Sequence, residues 1–177
     1  MASTERETRF RGVAHAVGDP LRRYVLRRVP ADAVDDVLAD VFLVLWRRLD
    51  DVPTDDPLPW AYGVARGCVA NAQRAARRRL SLVERITRLD PPRPNVEDDD
   101  PDHADLREAL DRLPTLDREV VTLWAWEGLA PREIATVTGL SANAVSIRLH
   151  RAKQRLALDL GRKSPGAAGQ KPGEGRR

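Results

Sequence analysis

The chain contains one cysteine, Cys68, among 177 residues, so no internal disulfide can form and the fold must be held by packing. Its three histidines, His15, His103 and His150, are scattered and lack Cys or acidic partners at metal-ligand spacing, so no metal site is expected. No apolar run is long enough to cross a bilayer. The opening residues, MASTERETRF, lack the apolar stretch of a secretory signal, which predicts a cytoplasmic protein without membrane insertion. No segment alternates as a strand does, and no internal repeat is visible. A glycine-rich phosphate loop, a paired-carboxylate motif and a nucleophile beside an obvious base are also missing, so neither an enzyme nor a cofactor is expected.

What is present is helical and basic. Apolar residues make up 42% of the chain, enough for compact cores. The formal charge is +3, but the pI near 9.5 and the clustering of arginine suit a polyanionic partner. The most informative stretch is PREIATVTGLSANAVSIRLHRAKQRL, residues 131–156. Ile134, Ala135 and Val137 serve a short first helix, Gly139 suits a tight turn, and Ser141 can cap a second helix. In that helix Val145, Leu149, Ala152 and Leu156 recur at three and four residues and form one buried stripe. Asn143, Ser146, Ile147 and His150 then face outward, flanked by Arg148, Arg151, Lys153 and Arg155. This is the pattern of a helix-turn-helix, whose front reads base edges while its flanks neutralise phosphates. The start of the helix at Ser141 also offers free N–H groups to a phosphate. An amphipathic hairpin with a solvated basic face is the plain alternative.

The chain divides into residues 1–85, a linker over 86–104, a second block over 105–160 and a disordered tail over 161–177. Residues 81–104 carry 3 basic and 7 acidic side chains, and PPRPNVEDDDPDH at their centre blocks helix formation and repels itself, predicting an extended connector. The acidic run from Glu97 to Asp102 is read as solvated charge, because a flexible segment does not preorganise cation ligands. In the first block, Val34, Val37, Leu38, Val41, Phe42, Leu45 and Trp46 share the broad apolar face of one buried helix. A loop ending at Pro59 precedes a helix from about Trp60 to Arg79, with Val64, Cys68 and Val69 on one side. In the second block, Leu106, Leu110 and Leu113 form a stripe, and Val120, Val121, Leu123 and Trp124 are expected in the core. The predicted fold is therefore all-α: two small helical domains joined by an acidic Pro-rich linker, the second holding the helix-turn-helix.

The helix DDVLADVFLVLWRRL, the segment PLPWAYGVARGCVANAQRAARRR and the block LDRLPTLDREVVTLWAWEGLAPREIATVTGLSANAVSIRLHRAKQRL resemble bacterial sigma factors of the extracytoplasmic-function group. Such proteins carry only sigma regions two and four, in this order and over this length. The resemblance implies an RNA polymerase sigma factor with core RNA polymerase and promoter DNA as partners and an anti-sigma factor as a candidate third. It implies that Asp36, Asp40 and Leu43 contact the polymerase clamp, although Asp36 and Asp40 serve equally well as a solvated face favourable to the helix start. It assigns minus-ten recognition to Trp60, Tyr62, Arg66, Asn71, Arg74 and Arg77, by stacking on an extruded base and by cations along the strand. Trp60 also suits plain packing, and Arg74 to Arg79 also suit a helix C-terminus. Relatives place Asn directly after the Arg of this motif, whereas here Ala65 and Arg66 are followed by Gly67, which weakens any transfer of base specificity.

For the minus-thirty-five element the resemblance assigns base contacts to Ser146, Ile147 and His150 and backbone contacts to Arg148, Arg151 and Lys153. Ser141 and Asn143 lie at the start of the same surface. A polymerase-independent helix-turn-helix regulator is the alternative, and a nuclease or recombinase would need a constellation that is absent. The sigma reading also demands that the two blocks can part, because a single rigid body could not straddle separated promoter elements.

Overall fold

The computed structural model describes residues 2–86 and 104–163. Among the described residues there are seven α-helices, two short 3₁₀ turns and no strand. The helices are α1 (Ala2–Leu26), α2 (Val34–Arg47), α3 (Leu58–Ile86), α4 (Ala104–Asp111), α5 (Thr115–Trp126), α6 (Pro131–Thr138) and α7 (Ala142–Lys163). The predicted linker and tail fall almost wholly outside the described residues, as does the acidic run. Helix runs one residue into the predicted linker at Ile86 and three into the predicted tail, to Lys163.

Helices α1, α2 and α3 pack mutually into a first unit. Val17, Leu21, Tyr24 and Val25 recur on one face of α1 and meet Val34, Val37, Leu38, Val41 and Leu45 of α2. Each such buried aliphatic side chain contributes about 1.5–3 kcal/mol relative to exposure. Ala61, Tyr62, Ala65 and Val69 complete this core from α3. Helix α3 starts at Leu58, two residues before the expected start. Pro59 fits its first turn, where a missing N–H costs nothing, and the Asp56 carboxylate accepts from the Leu58 N–H at 3.3 Å.

Helix α1 begins well before the predicted Arg11. Phe10 holds its first half against α2, edge-on to Phe42 and Trp46 with centroids 6.5 and 5.2 Å apart. Arg6 adds an ion pair to Asp50 at 2.9 Å and donates to the Trp46 carbonyl at 2.9 Å, satisfying an orphan acceptor at the end of α2.

In the second unit α7 is the hub, contacting α4, α5 and α6. Ala109, Leu113, Val120, Val121, Leu123, Leu129, Ile134 and Val137 bury against Val145, Leu149 and Ala152. Trp124, expected in this core, is 41% exposed instead; its ring lies under the Lys153 ammonium, 3.3 Å from the centroid. An aromatic held this way gains from the cation without leaving the surface.

The two units are not separate bodies here. Helix α3 lies against α6, and the buried residues of both units form one continuous cluster.

Candidate nucleic-acid interface

The turn between α6 and α7 has the predicted chemistry. Pro131 opens α6, and the Glu133 carboxylate accepts from the Ala130 N–H at 2.5 Å. Gly139 ends the helix at φ 74°, a left-handed conformation that side chains disfavour, and its N–H donates to the Ala135 carbonyl at 2.9 Å. The Ser141 hydroxyl accepts from the Ala144 N–H at 3.2 Å and so caps α7.

Helix α7 buries Val145, Leu149 and Ala152, with Leu156 partly covered. Asn143, Ser146, Ile147 and His150 are exposed and share one stripe, joined by the exposed Arg151. Ile147 is an unusual surface residue at 43% exposure, and a methyl-bearing side chain there can meet a thymine methyl group. Ser146 donates back to the Ala142 carbonyl at 3.0 Å, which leaves its oxygen lone pairs outward.

Two of the expected backbone cations are already engaged. Arg148 donates to Asp117 at 2.7 Å, and Arg155, seven residues on, approaches the other oxygen of that carboxylate at 3.6 Å. Asp117 is only 6% exposed and sits in the first turn of α5, so one carboxylate ties α5 to the flank of α7. Lys153 is held over Trp124. Arg151 is the flanking cation that points fully outward.

On the first unit, Asp36, Asp40 and Leu43 are all exposed and lie at intervals of four and three along α2, a single stripe opposite its buried face. The residues assigned to minus-ten recognition divide. Tyr62 is 2% exposed and packs on Tyr24 with centroids 5.2 Å apart, so it is a core residue and cannot stack on a base in this state. Burial pushes both phenols up to about 12. Trp60 is half-buried, with the Arg48 guanidinium 5.2 Å from its ring centroid. Asn71 accepts a hydrogen bond from Arg74, and Arg74 and Arg77 are exposed.

Arg66 is bound by Glu119 of the second unit, Nε to Oε1 at 2.6 Å and Nη2 to Oε2 at 3.1 Å. That hydrogen bond raises the arginine above its ordinary pKa, outweighing partial burial. Trp60, Arg66 and Asn71 line a cleft of about 530 Å³, closed on its far side by residues 136–139 at the end of α6. Cys68 lines it too, its thiol pushed up by burial and then by the Asp40 charge.

The acids that hold these arginines were not singled out from the sequence. Glu127 offered one local signal: it stands at the C-terminal end of α5, where the helix dipole disfavours a negative charge. Its compensation is distant in sequence, from Arg27 at 3.0 Å and Arg28 at 3.2 Å. Among the described residues no group of three or more His, Cys, Asp or Glu side chains could hold a metal ion. No helix among them is long and apolar enough to cross a membrane.

Comparison with known proteins matches both units. The model of Sigma-70 region 2 matches residues 13–79, and that of Sigma-70, region 4 matches residues 103–156. RNA polymerase sigma factor CnrH of Cupriavidus metallidurans is 32% identical over 145 residues, covering 75% of each chain. The RNA polymerase sigma-E factor of Streptomyces avermitilis is 34% identical over 147 residues, covering 80% of this chain and 79% of its own. The solved structure of CnrH in complex with the cytosolic domain of CnrY superposes with a TM-score of 0.60 at 29% identity, covering 88% of this chain and 89% of that one. With its region 2 in α1–α3 and its region 4 in α4–α7, the chain belongs to the sigma-70 family, as an RNA polymerase sigma factor of the extracytoplasmic-function group.

Proposed function

We propose that the chain brings core RNA polymerase to promoters by dividing the work between its units, α7 reading duplex DNA at the minus-thirty-five element and α3 holding the melted minus-ten strand. The observation that carries this is the exposed stripe of α7: Asn143, Ser146, Ile147 and His150 project from a helix whose opposite face is locked into a core. Base readout needs such a rigid platform, with phosphate contacts setting the register. Arg151 supplies a free flanking cation. Arg148 and Lys153 reach a phosphate only by leaving Asp117 and Trp124, so they are secondary contacts.

For the minus-ten strand the working set is Trp60, Arg66, Asn71, Arg74 and Arg77, with Tyr62 as their core support. Asp36, Asp40 and Leu43 form the stripe offered to polymerase. The phosphodiester chemistry belongs to the polymerase, so this chain is a specificity factor and not an enzyme, acting in the cytoplasm where the polymerase works. An anti-sigma factor is a further partner in this scheme, in keeping with the likeness to CnrH bound to the cytosolic domain of CnrY. A polymerase-independent regulator is disfavoured, because it gives no account of a region 2 unit beside the helix-turn-helix.

The test is transcription by purified core polymerase with wild type, His150→Ala and Arg151→Ala. Both variants should bind core normally and lose promoter-specific RNA. Arg151→Ala should also lower the salt slope of duplex binding by about 1, one phosphate contact. Unchanged RNA from both would remove α7 from promoter recognition.

A further inference from the structure

The face of α3 assigned to DNA is covered by the other half of the molecule. Arg66 spends its Nε and one Nη on Glu119, and α6 closes the cleft beside Trp60 and Asn71. Backbone approaches backbone here: a Cβ placed on Gly63 of α3 would lie 3.8 Å from the Val137 Cα and from the carbonyl oxygens of Thr136 and Val137. A methyl fits at that distance, whereas a longer side chain would have to displace α6.

The contact is rimmed by charge. Glu127, its side chain 3% exposed, bridges Arg27 and Arg28, and Arg27 also lies 5.8 Å from the exposed Trp126 ring. Nη2 of Arg28 is buried with no hydrogen-bond partner among the described residues, so the closed contact leaves a donor unsatisfied. Polar, imperfectly satisfied contacts between domains are the kind that open.

Function requires that it open. A compact body of this size is about 40 Å across, from the usual scaling of radius of gyration with length. Elements centred ten and thirty-five base pairs upstream of the start lie roughly 85 Å apart at 3.4 Å per base pair. The packed units cannot reach both. The 17 residues between Ile86 and Ala104 set an upper limit of roughly 60 Å on the separation of those two helix ends, from the reach of an extended chain.

Resting on the sigma reading above, we propose that this packing is a closed, DNA-incompetent state of the free sigma factor. Glu119 and Glu127 latch it, Arg66 is withheld within it, and polymerase binding opens it. The apparent affinity for core is then the intrinsic affinity reduced by the fraction of molecules that are open.

The experiment uses the full chain with fluorescent probes at exposed positions, Thr54→Cys and Gln154→Cys in a Cys68→Ala background. Wild type should give a short interprobe distance alone and a long one with core. Gly63→Ala should behave as wild type. Gly63→Leu, a wedge that also favours helix over glycine, and Glu127→Ala, which strands two arginines, should be long without core. With helix content unchanged by circular dichroism, both should bind core and a mixed-sequence single-stranded DNA about tenfold tighter, as expected for a wild type about 10% open. A long distance in free wild type would overturn the proposal, as would opening by Gly63→Leu with no gain in either affinity. Failure of every variant, open ones included, to bind core would instead overturn the sigma reading, since the distances of the free chain are measured without polymerase.

Discussion

Asp117 should govern both the stability of the second unit and how hard α7 grips DNA. The carboxylate is nearly inaccessible, accepts from Arg148 at 2.7 Å and draws Arg155 to 3.6 Å. A hydrogen bond to a charged group is worth about 1.5–3 kcal/mol. Half-exposed Arg148 can recover part of that from water once released, so the lower half of the range applies. The position in the first turn of α5 adds about 0.3–1 kcal/mol of dipole stabilisation. Asp117→Ala should therefore cost about 2 kcal/mol in urea unfolding. Asp117→Asn keeps the shape and one acceptor and should cost about half as much. Two freed guanidiniums beside the recognition stripe should raise affinity for random duplex DNA and steepen its salt slope by up to about 2. If Asp117→Ala unfolds at the wild-type urea concentration and binds DNA with an unchanged salt slope, the ion pair holds neither the fold nor the arginines.

Gly139→Ala places a Cβ at φ 74° and should destabilise the second unit by about 1–2 kcal/mol by strain alone, since open space surrounds the position; an unchanged melting temperature would contradict the left-handed turn. The phenols of Tyr24 and Tyr62 titrate at about 12 in the fold against 10 when unfolded. Above pH 10 the unfolded chain loses its protons first, so their stabilisation is complete below 10 and is lost as pH rises through 12. Tyr62→Phe should flatten that alkaline loss, read by urea unfolding at stepped pH; an equally steep loss would place Tyr62 outside the core. Ile134→Ala, which empties a fully buried site between α6 and its neighbours, should cost about 2–5 kcal/mol by the same unfolding assay, and a cost below about 1 would mean the site is not packed.

Features set by near neighbours were legible in the sequence. The cap at Ser141, the turn at Gly139 and the buried triplet Val145, Leu149 and Ala152 each depend on residues a few positions away, and each is as expected. The stripes of α2 followed from periodicity in the same way. What escaped depends on partners far along the chain. Tyr62 and Trp124 exchanged their expected roles because Tyr24 covers the first while Lys153 alone covers the second. Arg66 and Arg148 read as free cations because Glu119 and Asp117 stand 53 and 31 residues away. The packing of α3 on α6 left no periodic trace: it rests on a glycine and on acids paired across about a hundred residues.

The most direct test of the division of labour is to supply core polymerase with a library of genomic promoter fragments, with and without this chain, and to map the starts of the RNA made. Discrete start sites that appear only when both are present, each with a melted segment and a protected duplex upstream, are the expected result. Discrete DNA sites bound by the chain alone, with RNA starts that ignore its presence, would contradict it.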